Sequence, residues 1–82
     1  MFHKVTEVTA LPDFQLSVVF SSGEKKLYDA KPIMQIHEAF KAFTLTQGLF
    51  QQVQVSAGGY GVYWNNEIDL SCNELYSGGK QQ

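Results

Sequence analysis

The sequence predicts an α+β domain: an antiparallel sheet of about five to six short strands packed against one main helix near residues 32–43, with a short C-terminal helical turn. Three observations carry that expectation. Phe14, Leu16, Val18 and Phe20 recur at the two-residue period of a half-buried strand. Ile33, Ile36, Phe40 and Phe43 recur at steps of three and four, the apolar stripe of an amphipathic helix. Residues 60–76 then read as a strand, a polar turn, a short strand and a capped helical turn.

Taken in order, residues 4–10 are β-branched and read as the first strand. Val5 and Val8 fall on opposite faces of a regular strand, so this one is either buried on both sides or bulged. Leu11-Pro12-Asp13 is a turn. Ser21-Ser22-Gly23-Glu24 is a hairpin turn with Gly at the position of positive φ. Residues 25–30 return as a third strand with Leu27 or Tyr28 inward. Pro32 suits a first helical turn, where its missing N–H is not needed, and Gly48 marks a stop. A fourth strand is expected over residues 49–56, a turn at Ala57-Gly58-Gly59, a fifth strand over 60–64 and a sixth over 67–70 after Asn65-Asn66. Ser71 and Glu74 stand in the capping-box relation. Residues 1–76 are expected to form a single domain and 77–82 a flexible polar tail.

At 82 residues the chain holds one domain with a small core, a size at which self-association commonly adds stability. Six Phe, four Tyr and one Trp compensate with large buried areas. Net charge is −2 and all six basic residues are Lys, so the Arg fork and basic patch of a nucleic-acid surface are missing. The single Cys72 allows no internal disulfide, which fits a reducing cytoplasm. The first residues contain no long apolar stretch, so no signal peptide is expected, and no run is long enough to span a bilayer.

Each chemical candidate has a structural alternative. Trp64 is read as core, packed with Val62 under the helix, while Tyr63 points the other way and is a candidate contact residue. Asp29, Glu67 and Asp69 lie near strand ends or turns; paired carboxylates can do acid–base work or hold a metal, and turns use them as caps. Glu67 and Asp69, two apart, share a face of a strand. His3 and His37 lack a third ligand, and His37 is expected to be partly buried beside Ile36. Cys72 follows the cap at a helix start with no neighbouring base, so a small buried hydrophobe is expected. Gly58-Gly59-Tyr60-Gly61 lacks the following helix and the Lys-Ser/Thr of a phosphate loop and reads as a turn.

Residues 5–8, Phe20-Ser21-Ser22-Gly23-Glu24, Tyr28-Asp29-Ala30-Lys31-Pro32, Leu49-Phe50, Trp64-Asn65-Asn66-Glu67-Ile68-Asp69-Leu70 and Leu75-Tyr76 together resemble the bacterial family catalogued as domain of unknown function 2442. The resemblance covers residues 5–76. It implies a small α+β domain with a sheet and one main helix, and no established activity or catalytic residues. It also implies frequent pairing with a neighbouring short reading frame, as in toxin–antitoxin or mobile-element pairs. Some members add a helix-turn-helix segment, which is not expected in the few residues after Tyr76.

The expected function is therefore a small cytosolic protein-interaction module, an antitoxin-like or adaptor partner of a neighbouring small protein. Tyr63, Asn65, Asn66 and Glu67 are its contact residues. No catalytic residue, cofactor or metal is expected, nor any enzymatic activity. The alternative is a small-molecule-binding domain or minor enzyme using Asp29, Glu67 or Asp69. Single-strand nucleic-acid binding on Tyr and Trp faces is a third reading, disfavoured by charge. In solution a homodimer is expected from the small core and open strand edges.

Overall fold

The computed structural model describes residues 3–82; residues 1–2, included in the expected domain, lie outside the described residues. The chain runs β1 (Val5–Leu11), β2 (Gln15–Phe20), β3 (Lys25–Asp29), α1 (Lys31–Ile36), a 3-10 turn at Glu38–Lys41, and α2 (Ala42–Leu45). A second 3-10 turn at Phe50–Gln52 leads to β4 (Gln54–Val55), and a third at Ala57–Gly59 to β5 (Gly61–Tyr63). β6 (Asp69–Ser71), α3 (Cys72–Gly78) and β7 (Lys80–Gln81) complete it. The α+β class is as expected, but the strands divide into two antiparallel sheets, one in the order β1-β2-β3-β7 and one in the order β4-β5-β6.

The large sheet follows directly from its pattern. Leu16, Val18 and Phe20 of β2 are buried, and Tyr28 is the inward residue of β3. The awkward spacing in β1 is a bulge. Val5 opposes Phe20 and Glu7 opposes Val19, leaving Thr6 as the extra residue, whose Oγ1 donates to the Val19 carbonyl at 3.2 Å. The bulge restores alternation, so that Val8, opposite Val18, faces the core side with Val5.

The continuous helix expected near 32–43 is instead three short pieces. α1 stops at Ile36, His37 is extended (φ −107°, ψ 121°), and a 3-10 turn and α2 follow. The stripe breaks with it: Ile36 is 75% exposed, while Met34, Phe40 and Phe43 are buried. The segment is a weak helix, with β-branched Ile33 and Ile36 and no side-chain N-cap. Breaking it forfeits about one or two backbone hydrogen bonds, each worth about 1 kcal/mol net. Burying a Phe side chain is worth about 1.5–3 kcal/mol, so seating Phe40 and Phe43 around Trp64 wins. His37, expected as partly buried, is exposed at this break.

Two expected strands are trimmed because side chains claim their backbone. Over residues 49–56 only Gln54–Val55 pair, since Phe50 turns inward and its carbonyl accepts the Trp64 indole N–H at 2.9 Å. The sixth strand begins at Asp69, because the Asn65 Oδ1 takes the N–H groups of Glu67 and Ile68 at 2.8 and 3.0 Å. The polar tail expected at 77–82 is a correction of the other kind. α3 extends to Gly78, Lys80 and Gln81 pair with Leu27 and Lys26, and the Gln82 N–H reaches the Lys25 carbonyl at 3.1 Å. The ordered fold therefore continues past Tyr76.

One hydrophobic core joins the two sheets. Phe40, Phe43, Phe50 and Trp64 form its aromatic centre, with ring centroids between 4.8 and 6.3 Å apart. Most of these contacts are edge-on or tilted, the arrangement favoured by ring quadrupoles.

Candidate functional site

The small sheet has an apolar inner face and a polar outer face. Val55, Val62 and Leu70 lie in register across its three strands, with Val62 and Leu70 buried. One position away, Gln54, Tyr63 and Asp69 form a second row across β4, β5 and β6, and all three are exposed. Tyr63 is the centre of the row, 37% exposed, with its hydroxyl donating to Gln54 Oε1 at 3.2 Å. The alternation of a two-sided strand thus puts Val62 and Trp64 inward and Tyr63 outward, as the sequence predicts for Trp64.

The β5–β6 turn extends this surface. Asn65, Asn66 and Glu67 are exposed beside the row. Asn65 holds the turn rather than offering its carboxamide oxygen, which already accepts two backbone N–H groups. The Trp64 N–H closes the turn on the Ile68 carbonyl at 2.9 Å. Tyr63, Asn66 and Glu67 are therefore available on a rigid mount, and Asn65 is its fastener. Gln54, absent from the sequence candidates, joins through register alone.

The three candidate carboxylates do not converge. Asp29 ends β3 in the large sheet, whereas Glu67 and Asp69 belong to the turn and edge of the small one. Asp29 Oδ1 accepts from the Lys31 N–H at 3.0 Å and pairs with its Nζ at 3.1 Å. Partial desolvation raises the Asp29 pKa, but these Lys31 hydrogen bonds outweigh it and hold the carboxyl below its ordinary range. That is the turn-capping role. Asp13 chiefly, with Asp29, holds the Lys31 ammonium above the ordinary lysine range.

The remaining candidates take structural roles. His3 stacks on Tyr76 (centroids 3.5 Å apart, planes 3°), and the Lys26 Nζ lies 3.7 Å from the centroid of the same ring. The Tyr76 hydroxyl donates to both oxygens of Glu24 at 2.9 and 3.0 Å; that bond lowers the Glu24 pKa and raises the phenol's. Cys72 is buried. Only half of the capping box forms: the Ser71 Oγ accepts the Glu74 N–H at 3.1 Å, while the Glu74 carboxylate accepts from Tyr28 Oη at 3.0 Å. Burial first, then Glu74, drives the Tyr28 phenol well above its ordinary pKa. Among the described residues no three His, Cys, Asp or Glu side chains gather as a metal set, and no helix is long and apolar enough to cross a membrane.

Sequence reasoning also missed the backbone at the β1–β2 turn. Asp13 and Phe14 both have left-handed backbone (φ +65° and +56°) beside a surface hollow of about 320 Å³. Pro12-Asp13 signals a turn, but no local rule places a Phe at positive φ.

Residues 5–81 match the family model described as protein of unknown function (DUF2442), and the chain belongs to that family. Neither the comparison with curated proteins nor that with solved structures gave a match.

Proposed function

We propose that this member of the family is a protein-interaction module, the antitoxin-like or adaptor half of a two-gene unit, which meets its partner through the outer face of the small sheet. The observation that supports this reading is the exposed row of Gln54, Tyr63 and Asp69 with Asn66 and Glu67 alongside. A tyrosine brings large contact area with few rotatable bonds, which makes it a frequent energetic anchor at interfaces. The Asn65-fastened turn is ordered before contact, which reduces the entropy lost on binding. Glu67 and Asp69 give the face negative charge, so a partner carrying Lys or Arg fits it. Two copies of an acidic face repel, so this face suits a basic partner better than itself.

The test is affinity capture from native lysate with the wild-type chain and with a Tyr63→Ser/Asp69→Lys variant in parallel. One basic protein recovered near equal stoichiometry by the wild type, and lost with the folded variant, supports the reading. Equal recovery by both, or no stoichiometric protein with either, defeats it.

A further inference from the structure

We infer that the hollow between the β1–β2 turn and the helical segment is a binding site for a small carboxylate with an apolar body, of the alkyl- or aryl-carboxylate class. Its volume of about 320 Å³ is that of a small-ligand site. Phe14 and Met34 supply its apolar surface, and Asp13, Lys31, Gln35, Lys41 and Thr44 its polar lining.

The two cations differ. The Lys31 Nζ is fully committed, bonded to the Asp13 carbonyl at 2.9 Å, the Asp13 carboxylate at 2.8 Å and Asp29 at 3.1 Å. Its three N–H groups are thereby used, and its charge is shared between the Asp13 and Asp29 carboxylates. Among the described residues Lys41 pairs with Glu38 alone, at 3.2 Å, in an exposed pair on one helical turn that rearranges at little cost. Its ammonium can turn to an anion at the mouth of the hollow, with the Gln35 amide as a second donor. The Thr44 hydroxyl donates to the Lys41 carbonyl at 2.9 Å and fixes that turn.

The backbone supports the same assignment. Asp13 and Phe14 are consecutive non-glycine residues in left-handed conformation, a costly choice that tends to persist where a ligand wall must be held. Lys31 clamps the Asp13 carbonyl and the Ala30 N–H clamps that of Phe14 at 2.9 Å. The result sets the Phe14 ring edge-on to Phe50, with centroids 5.4 Å apart. Beyond Phe14 and Thr44 lies a second depression walled by Phe43 and Phe50 and lined by no charged side chain. The carboxylate therefore sits at Lys41, and a longer apolar tail crosses Phe14 into that depression. Neither Tyr63 nor Asp69 lines either space, so this site stands independently of the interaction surface.

Titration of the 15N-labelled chain with octanoate and 4-phenylbutyrate tests it, with octanamide as the uncharged control. The expected result is saturable shifts at residues 13–14, 34–35 and 41–44, with octanamide at least about tenfold weaker. Lys41→Met, a change at an exposed position, weakens octanoate by about tenfold, and Lys41→Arg restores it. No saturable shift with either carboxylate, shifts centred elsewhere, equal binding of octanamide, or indifference to Lys41→Met would each overturn the inference.

Discussion

At one end of β2 the chain reverses through Ser21-Ser22-Gly23, with the left-handed backbone on Gly23 (φ +93°) and its N–H on the Phe20 carbonyl at 2.8 Å. At the other end it reverses through Pro12-Asp13-Phe14, with left-handed backbone on Asp13 and Phe14. The first turn is relaxed because glycine carries no Cβ to clash at that φ. The second is held in place from outside, by Lys31, by the Ala30 N–H and by the Phe14–Phe50 contact. The contrast separates a turn that only reverses the chain from one that also presents a side chain. Strain sits at the end of β2 that borders the hollow, and the plain end closes a hairpin.

The largest effect expected from this contrast is at Phe14. Phe14→Ala removes partly buried aromatic packing and should cost about 2 kcal/mol in urea unfolding. Phe14→Gly loses the same packing but recovers about 1 kcal/mol of backbone strain. The glycine variant should therefore be at least as stable as the alanine variant; a clearly weaker glycine variant would break the comparison. Next comes Gly23→Ala. A Cβ there meets nothing within 4 Å, so the loss of about 1 kcal/mol is purely conformational. An unchanged midpoint would mean that the turn readjusts without cost.

Lys31→Met should destabilise less than Phe14→Ala and leave a pH signature. The raised Lys31 pKa contributes stability that is complete below the ordinary lysine range and is lost as pH climbs through the raised value. The depressed Asp29 pKa contributes stability present above the ordinary range near pH 4 and lost as pH falls through the depressed value. The gap between wild type and variant should stay level through neutral pH and narrow at both extremes; a gap that widens in acid would contradict it. Tyr76→Phe should act least, and at the other end of β2, where Tyr76 meets Glu24. It removes the hydrogen bond that lowers the Glu24 pKa, so the acid limb of the stability curve should lose the part due to Glu24 and the alkaline limb the part due to the raised Tyr76 phenol. The gap to wild type should therefore hold through neutral pH and close at both extremes; a gap that persists unchanged in acid would be inconsistent with that bond.

Much of this was legible in the residues. The alternation in β2, the glycine at 23, the inward Trp64 and the Ser71 cap are all set by neighbours within a few positions. What escaped depends on partners distant in sequence. Ile36 sits on the expected helical stripe but is exposed, because Trp64 draws Phe40 and Phe43 across a broken helix. Residues 49–53 look extended until the Trp64 indole claims the Phe50 carbonyl. Lys80 and Gln81 form a strand too short to show a period, and only β3 reveals it. The proposed contact surface was half legible for the same reason. Tyr63, Asn66 and Glu67 announce themselves as polar or aromatic residues around a turn, whereas Gln54 and Asp69 join the row only through strand register. Asp69 was visible as a carboxylate, but its place beside Tyr63 was not.

Hydrogen–deuterium exchange on the complex recovered by affinity capture shows whether the partner covers the outer face of the small sheet. Added protection is expected across residues 54–55 and 61–71, with none at the Ser21-Ser22-Gly23 turn. Protection centred on β3 and β7 instead, or a captured protein that leaves β5 and β6 exchanging as in the free chain, would contradict it.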